Sequence, residues 1–511
     1  MPEDLIAVLD FGGQYSHLIT RRIRECQVYA DLFPFTVRPQ ELTEANTKGV
    51  VLSGGPTSVY DDNAPTCNPE IFNLGIPVLG ICYGLQVMVQ MLGGHVKATK
   101  RHEYGKTRLE IRDDTDLFRG LGKQIVSWMS HGDYAEVLPK GFDVIAASEN
   151  CPAAAIRDRS RKLYGVQFHP EVSHTEQGDD IIRNFTEISN CQRTWTPHSI
   201  VESAVDGIKA RVGDQRVLCA VSGGVDSTTA AVLVHKAVGS RLTCIFVNHG
   251  LLRLNEEKRV LKTLSEDMRI NVRYVDASSQ FLQRLKGIRD AEEKRKIVGA
   301  EFIRVFDEES TKLGTFEWLA QGTLYPDVIE SAGTGSPASR IKTHHNVGGV
   351  PDWSKFKIIE PLRSLYKDEV RQVAKELGLP DSIVHTHPFP GPGLAVRVVG
   401  EVTEEKLRIC RQASAIVEEE LSKNGFYDEV WQAFAVVGDD MVVGVLGDHR
   451  QLGHLVTIRI MKSSDGMTAD WAKIPNDVLE TISNRITGEV QGVTWVTYAI
   501  SSKPPSTIEP C

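Results

Sequence analysis

Short apolar runs alternate with helix-like stretches over about the first 190 residues of the chain. The clearest runs lie at residues 6–11, 49–52 and 78–81, and each is bounded by glycine, proline or polar residues. Strands of a parallel sheet show such runs because both of their faces are covered by apolar layers. This region is therefore predicted to form a doubly wound α/β domain with a mostly parallel sheet.

A second pattern of the same kind begins near residue 193. A helical stretch from residue 199 leads to an apolar run at 216–221 and a glycine-rich turn. A helix at 227–238 and another apolar run at 242–247 follow. Strand, helix and strand in this order begin a parallel sheet, so we predict a second doubly wound domain.

The pattern changes again near residue 387. Helical stretches and shorter strand-like runs lie at residues 404–421, 433–437, 441–445, 455–460, 476–487 and 493–500. This order favours a small α+β domain. The predicted fold class is thus α/β, with two doubly wound, mostly parallel-sheet domains and a small α+β C-terminal dimerisation domain. The predicted boundaries are 1–192, 193–386 and 387–511.

Composition and charge exclude several classes of protein. The 511 residues are 41% hydrophobic and 24% charged, with a net charge of −9, which is unlike a general nucleic-acid-binding protein. No apolar run approaches the ~18 residues of a membrane span, and no basic export signal opens the chain. The nine cysteines form no Cys-x-x-Cys pair, so we expect reduced thiols in the cytoplasm, with neither membrane nor nucleic acid as partner.

Cys82 lies where an apolar run meets a helical stretch, in the sequence Gly-Ile-Cys-Tyr-Gly-Leu-Gln at residues 80–86. Flanking glycines permit the sharp strand-to-helix turn that exposes a nucleophile. The positive end of a helix favours the thiolate, which is the reactive form of cysteine. Cys82 is therefore a candidate nucleophile, and a buried, merely apolar cysteine is the alternative.

Two further segments carry groups that a cysteine nucleophile needs. His169 follows the alternating run 163–168, and Glu171 stands two positions later. A histidine can take the thiol proton, and a carboxylate can hold its ring in the required tautomer. The backbone N–H groups of Gly55, in a glycine-rich turn, and of Tyr83 are expected to stabilise an oxyanion. Ordinary polar turns are the alternative for both segments.

These motifs, in this order, resemble the class I glutamine amidotransferase family over residues 5–190. The resemblance implies that Cys82 attacks the side-chain amide of glutamine. His169 would transfer the proton with the assistance of Glu171. Ammonia, and then glutamate, would be released through a thioester intermediate.

A second motif lies between an apolar run and a helix, and consists of Ser222, Gly223, Gly224, Val225, Asp226, Ser227 and Thr228. Successive backbone N–H groups at a helix N-terminus form an anion-binding nest, and the missing lysine excludes a Walker loop. A tight turn with a serine cap is the alternative. The motif resembles the loop of the ATP pyrophosphatases, which cleave ATP between the α- and β-phosphorus. The resemblance implies that Asp226 holds Mg²⁺ and that residues 321–327 and Lys342 approach the phosphates.

The segments 387–397 and 503–509 resemble the GMP synthetase family, and with the two upstream motifs the resemblance covers nearly the whole chain. It implies that ATP adenylates the C2 oxygen of xanthosine 5′-monophosphate (XMP), that ammonia displaces AMP to give GMP, and that pyrophosphate is released. The implied XMP contacts are Arg295, Gln432, Asp448, Arg450, Lys503 and Glu509. Arg295 lies in a dense run of charges, where a solvated helix face is the alternative.

Two other functions stay open at the level of sequence. One is an amidating ligase with a different acceptor, such as an NAD synthetase-like or thiolating enzyme. The other is a catalytically silent nucleotide-binding regulator, which the intact Cys82 motif disfavours. A class II glutaminase is not expected because the chain begins with Met1-Pro2. The apolar run 431–437 predicts a homodimer, and the glycine-rich segment 331–353 predicts a lid.

Overall fold

The computed structural model describes residues 4–332, 356–446, 448–463 and 468–511. Two compact units divide the chain, Met1–Ser199 and Ile200–Cys511, close to the boundary predicted after residue 192. The boundary predicted after residue 386 lies inside the second unit, because one hydrophobic core joins residues from both sides of it, such as Leu218 and Val456. Lys342 and most of the predicted lid lie outside the described residues.

The first unit is built on one nine-stranded sheet. Its strands are β1 (Leu5–Asp10), β2 (Tyr29–Pro34), β3 (Thr47–Leu52), β4 (Val78–Ile81), β5 (His95–Ile111), β6 (Gln124–Val137), β7 (Asp143–Ala147), β8 (Ala155–Asp158) and β9 (Leu163–Val166). Their spatial order is β2-β1-β3-β4-β9-β8-β7-β5-β6. The pairs from β2 to β9 are parallel, as predicted, whereas the pairs from β9 to β6 are antiparallel.

Successive side chains of β1 enter two different hydrophobic cores. Ile6 and Val8 pack in a core with helices α1 (Ser16–Glu25) and α4 (Gly178–Ile188). Ala7 and Leu9 pack in a second core with helix α3 (Tyr83–Met91), and the short helix α2 (Pro39–Glu44) adds Leu42 to this second core. Burial on both faces explains why the strand reads as a continuous apolar run.

The second unit begins with a five-stranded, fully parallel sheet. Its strands are β10 (Val217–Ala220), β11 (Leu242–Asn248), β12 (Val272–Asp276), β13 (Trp318–Ala320) and β14 (Lys357–Ile359), in the order β12-β11-β10-β13-β14. Its helices are α5 (Pro197–Val212), α6 (Val225–Val238), α7 (Glu256–Leu261), α8 (Ser278–Leu285), α9 (Ala291–Lys312), α10 (Tyr325–Ala332), α11 (Lys367–Glu376) and α12 (Asp381–Val384). The strand order reverses between β10 and β13, the place where such sheets bind ligands.

The last sheet consists of β15 (Gln432–Leu446), β16 (His449–Lys462), β17 (Asp470–Trp471) and β18 (Val493–Tyr498), with helices α13 (Glu404–Lys423) and α14 (Asn476–Glu489). The runs predicted at 433–437 and 441–445 belong to one strand, β15, whose pairing with β16 shifts between Val437 and Met441. The α+β character of this region is confirmed. Within the described ranges, no helix is long and apolar enough to span a membrane.

Candidate functional site

Cys82 occupies a strained turn between β4 and α3. Its φ of 53° and ψ of −107° are rare for any residue other than glycine. A Cβ atom on Gly84 would lie 2.2 Å from the Leu52 carbonyl oxygen, and one on Gly80 would lie 2.6 Å from the Leu85 nitrogen. Both glycines are therefore required for the close packing that holds the sulfur at the N-terminus of α3.

His169 and Glu171 form a buried pair in the segment that follows β9. Glu171 is 0% exposed. Its carboxylate oxygen Oε1 lies 2.7 Å from Nδ1 of His169. Burial lowers the pKa of His169, but the Glu171 charge and hydrogen bonds to Cys82 and Glu171 raise it well above its usual value. Because Nδ1 faces Glu171, Nε2 is the nitrogen left for Cys82, as general acid–base chemistry requires.

Two buried glutamines complete the surroundings of the sulfur. Gln167 donates from Nε2 to the Cys82 sulfur at 3.7 Å. Gln86 donates to the Gln167 side-chain oxygen at 3.4 Å and to the Asp133 carbonyl oxygen at 3.1 Å. Gln167 was not predicted from the sequence, although a polar amide in an apolar run, two positions before His169, was a usable signal.

The turn predicted to form an oxyanion hole lies beside Cys82. A Cβ atom on Gly55 would lie 3.0 Å from the Tyr83 ring, and one on Gly54 would lie 3.4 Å from the His169 ring. Neither the Gly55 nor the Tyr83 backbone N–H donates a hydrogen bond within the part of the chain that the structure describes. Both donors are thus available for an oxyanion, and their role stays a prediction.

A buried pair that the sequence analysis missed supports the segment opposite the sulfur. His131 lies 3.1 Å from Glu103 through Nε2 and 2.9 Å from the Asp133 carbonyl oxygen through Nδ1. The Ser130 carbonyl oxygen in the same segment accepts a long contact of 3.8 Å from the Cys82 sulfur. The pair therefore holds the Asp133 carbonyl that accepts from Gln86, two residues beyond His131 in the strand that also contacts the nucleophile.

The predicted phosphate loop follows β10 and leads into α6, at the reversal of strand order. Gly223 has a φ of 86°, which a larger residue rarely adopts. Ser227 Oγ accepts from the Ser222 backbone N–H at 3.2 Å and thereby closes the loop on itself. A Cβ atom on Gly322 would lie 3.1 Å from the Asp226 carbonyl carbon, so the segment after β13 packs directly against this loop.

Lys367 brings a positive charge to this loop, and it was not predicted from the sequence. Its Nζ donates to both carboxylate oxygens of Asp226, at 2.7 and 2.6 Å. A lysine at the first position of α11 opposes the helix dipole, which was a signal of function rather than of helix stability. The Asp226 carboxylate, a hard oxygen donor next to an anion nest, fits Mg²⁺ bound jointly with phosphates. Lys342 lies outside the described residues.

Four of the six predicted XMP contacts lie in the C-terminal segment or contact it. The Glu509 carboxylate accepts from Gln432 Nε2 at 2.7 Å and from Arg397 at 3.0 and 3.1 Å. Arg295 donates to the Cys511 backbone oxygen at 2.6 Å. Lys503 lies in the same segment, where its backbone N–H donates to the Ala469 carbonyl at 2.7 Å.

Asp448 and Arg450 lie elsewhere, at the tip of the β15–β16 hairpin. Arg450 pairs with Val445 near the tip, whereas Gln432 pairs with Met461 at the opposite end of the hairpin. The two ends are separated by roughly 40 Å, at about 3.3 Å per residue of extended strand. Within one chain, these two residues are therefore not brought together with Gln432 and Glu509.

Comparisons with known proteins match both the unit that carries Cys82 and the region of the last sheet. Two family models match the chain, glutamine amidotransferase class-I over residues 7–188 and GMP synthase C terminal domain over residues 419–510. The glutamine-hydrolysing GMP synthase of a Synechococcus species is 55% identical over 99% of this chain and 96% of its own length. The proteins of the same name from Caldanaerobacter subterraneus and Carboxydothermus hydrogenoformans are 55% identical over 99% of each chain.

Identity at this level extends through the unit that carries Cys82 and through the unit that carries the phosphate loop. The chain therefore belongs to the family of glutamine-hydrolysing GMP synthases, carbon–nitrogen ligases in which glutamine is the amide donor.

Proposed function

We propose that this protein makes GMP from XMP, ATP and glutamine in two coupled half-reactions. Glutamine and water give glutamate and ammonia in the first unit. ATP and XMP give an adenylated XMP and pyrophosphate in the second unit, and ammonia then displaces AMP. The observation that carries the proposal is that a complete Cys82–His169–Glu171 set and a lysine-free phosphate loop occur in one chain of this family.

In the first half-reaction, the Cys82 sulfur attacks the amide carbon of glutamine. The carbonyl electron pair moves onto oxygen, where the N–H groups of Gly55 and Tyr83 stabilise it. Collapse of this intermediate breaks the C–N bond, and His169 donates a proton to the departing ammonia. Water then attacks the thioester while His169 accepts its proton, which releases glutamate and regenerates the sulfur.

The buried charge of Glu171 explains why His169 can donate a proton to the leaving nitrogen in this step. Its charge raises the pKa of His169 well above the usual value once the cost of burial is overcome. A protonated ring is the form that can pair with a thiolate and then protonate a leaving amine. The pair therefore favours the state from which ammonia is released.

In the second half-reaction, backbone N–H groups of residues 222–228 hold the phosphates of ATP. Asp226 would hold a Mg²⁺ ion, which when bound would neutralise charge on the pyrophosphate. Lys367 contacts the Asp226 carboxylate in this structure. When Mg²⁺ occupies that carboxylate, Lys367 would contact a phosphate oxygen of ATP instead. Arg295, Gln432, Lys503 and Glu509 would bind the acceptor nucleotide.

The test of this proposal separates the two half-reactions. Cys82→Ala is expected to abolish GMP formation from glutamine but to retain GMP formation from added ammonia. Asp226→Asn is expected to abolish both syntheses but to retain hydrolysis of glutamine. The products are identified by chromatography. Formation of ADP in place of AMP would contradict the proposal, and so would amidation of another carbonyl acceptor without formation of GMP from XMP.

The proposal includes a cytoplasmic homodimer. Most of the run 431–437, from which the homodimer was predicted, is buried within one chain, and the exposed apolar surface lies further along the hairpin. Alternate residues of β15, among them Val443 and Val445, expose apolar side chains on the same face as Leu452 of β16, and Trp495 lies beside them. We call this set, with Met441, the hairpin face. Val445 is 75% exposed and Leu452 57% exposed, which is costly in water unless a second copy covers them.

A further inference from the structure

The segment Ser501–Cys511 lacks regular helix or strand beyond one isolated bridge, yet it is firmly attached to the last sheet. Arg459 of β16 donates to the Ser501 and Thr507 carbonyl oxygens at 2.8 and 2.7 Å. It also donates to Ser506 Oγ at 2.8 Å and to the Ile508 carbonyl oxygen at 3.3 Å. One side chain thereby joins both ends of the loop that contains Lys503.

A second arginine, Arg397, holds the carboxylate at the end of this loop. Arg397 is 0% exposed and donates two parallel hydrogen bonds to Glu509. Its guanidinium lies 4.1 Å from the Phe434 ring centroid and 4.9 Å from that of Phe389. Its Nη1 is buried and has no acceptor among the described residues, whereas its other two nitrogens both donate to Glu509.

Burying two guanidinium groups is unfavourable unless their donors are satisfied. Here five of the six guanidinium nitrogens donate to residues 501–509, nine residues of otherwise irregular chain. An irregular segment has high conformational entropy, which weakens any ligand contact that requires a single conformation. Bidentate and multiple hydrogen bonds from buried arginine side chains reduce that entropy before the ligand arrives.

We propose that Arg397 and Arg459 are positioning residues for the acceptor nucleotide, which hold segment 501–509 so that Lys503 and Glu509 are presented together. This inference rests on the proposed function, since it assigns those two residues to XMP binding. Arg397 and Arg459 act through the segment rather than by touching the reacting atoms. Their effect is therefore on acceptor affinity and not on ATP or glutamine.

The test compares steady-state constants for XMP, ATP and glutamine in Arg397→Lys and Arg459→Lys. Lysine keeps the charge but cannot reproduce a bidentate fork or four acceptors. We expect KM for XMP to rise roughly 10- to 100-fold, as for other groups that orient a ligand-binding residue. KM for ATP and the rate of glutamine hydrolysis are expected to stay unchanged. Arg485→Lys, in α14 of the same unit, is the matched control.

A double variant distinguishes positioning through Glu509 from a purely structural role of Arg397. If Arg397 acts through Glu509, then Arg397→Lys with Glu509→Gln should raise KM for XMP no more than Glu509→Gln alone. Ser506→Ala, which removes one acceptor of Arg459 without a change in charge, serves where an arginine variant fails to fold. Unchanged KM for XMP in folded variants, or additive effects in the double variant, would overturn the inference. A wild-type protein that makes no GMP from XMP would instead overturn the proposed function.

Discussion

The His169 ring connects the nucleophile to a buried charge, and its chemistry depends on that charge. The raised pKa of His169 means that the protonated ring favours the folded state. This stabilisation is complete below the ordinary value of 6.5 and is lost as pH rises through the higher folded-state value. Loss of the His169 proton at alkaline pH is therefore expected to lower both the rate of glutamine hydrolysis and the stability of the first unit.

Glu171→Gln tests this limit. The amide removes the charge that raises the pKa of His169, so the ring loses its proton at a lower pH. Glutamine hydrolysis is expected to fall by roughly 100-fold, and the alkaline limb of its rate profile should move to lower pH. Initial rates of glutamate formation across the neutral and alkaline range provide the measurement. Glu149→Gln, an exposed carboxylate of the same unit, should leave the profile as it is; an unshifted profile in Glu171→Gln would contradict the assignment.

Lys367 carries the corresponding argument in the second unit. Lys367→Met removes the cation that contacts Asp226 and is expected to lower GMP formation by roughly 100-fold or more, with ammonia as well as with glutamine. Glutamine hydrolysis should persist, because Lys367 belongs to the other unit. Lys375→Met, an exposed lysine of the same helix, is the control. Equal activity of the two variants would exclude a role for Lys367 at the phosphates.

At the scale of elements, two glycines show how differently the same substitution acts. Gly84→Ala would place a Cβ atom 2.2 Å from the Leu52 carbonyl oxygen, where β3 and α3 are in contact. Gly207 is exposed within α5, and a Cβ atom there would meet nothing within 4 Å. The first glycine is required by packing, whereas the second only weakens its helix.

Denaturant unfolding should therefore give opposite results for the two variants. Gly84→Ala is expected to lower the free energy of unfolding of the first unit by about 2 kcal/mol or more. Gly207→Ala is expected to raise that of the second unit by about 0.5–1 kcal/mol. Stabilisation of the first unit by Gly84→Ala would show that the strand-to-helix turn tolerates a side chain.

At the scale of the whole molecule, the proposed homodimer has a consequence for the proposed acceptor site. Asp448 and Arg450 lie at the tip of the hairpin, distant from Gln432 along the same chain. If they contact XMP at the site of Gln432 and Glu509, they must come from a second copy. Assembly through the hairpin face would then be a condition for a complete acceptor site.

Leu452→Glu tests both statements. A carboxylate at an apolar contact is expected to convert the dimer to monomers, because its burial without a partner is unfavourable. Light scattering at micromolar concentration measures the mass, and KM for XMP should rise with the loss of the dimer. Val137→Lys, an exposed apolar residue of the first unit, is the control. A wild-type mass of one chain would contradict the homodimer.

Local motifs were predicted well because their chemistry and geometry lie in a few consecutive residues. Gly80, Cys82 and Gly84 specify a turn that only small neighbours permit, and the structure confirms that turn. Residues 222–228 likewise follow β10 as predicted, and the last four of them form the first turn of α6. Groups that act at a distance were missed, among them Gln167, His131, Lys367 and Arg397. Each reaches its partner only through the fold, and no spacing in the sequence reports that approach.

The amino-acid sequence by itself determined the alternation of strands and helices, the nucleophile's turn and the lysine-free loop, because each depends on the conformational preferences of neighbouring residues. Only the tertiary structure decided that Asp226 faces Lys367 across 141 positions of chain and that Arg397 meets Glu509. It also decided that the hairpin tip lies far from Gln432. The pattern of neighbouring residues carries no information on that distance. Contacts between distant segments depend on strand order and packing, and those are properties of the whole folded chain.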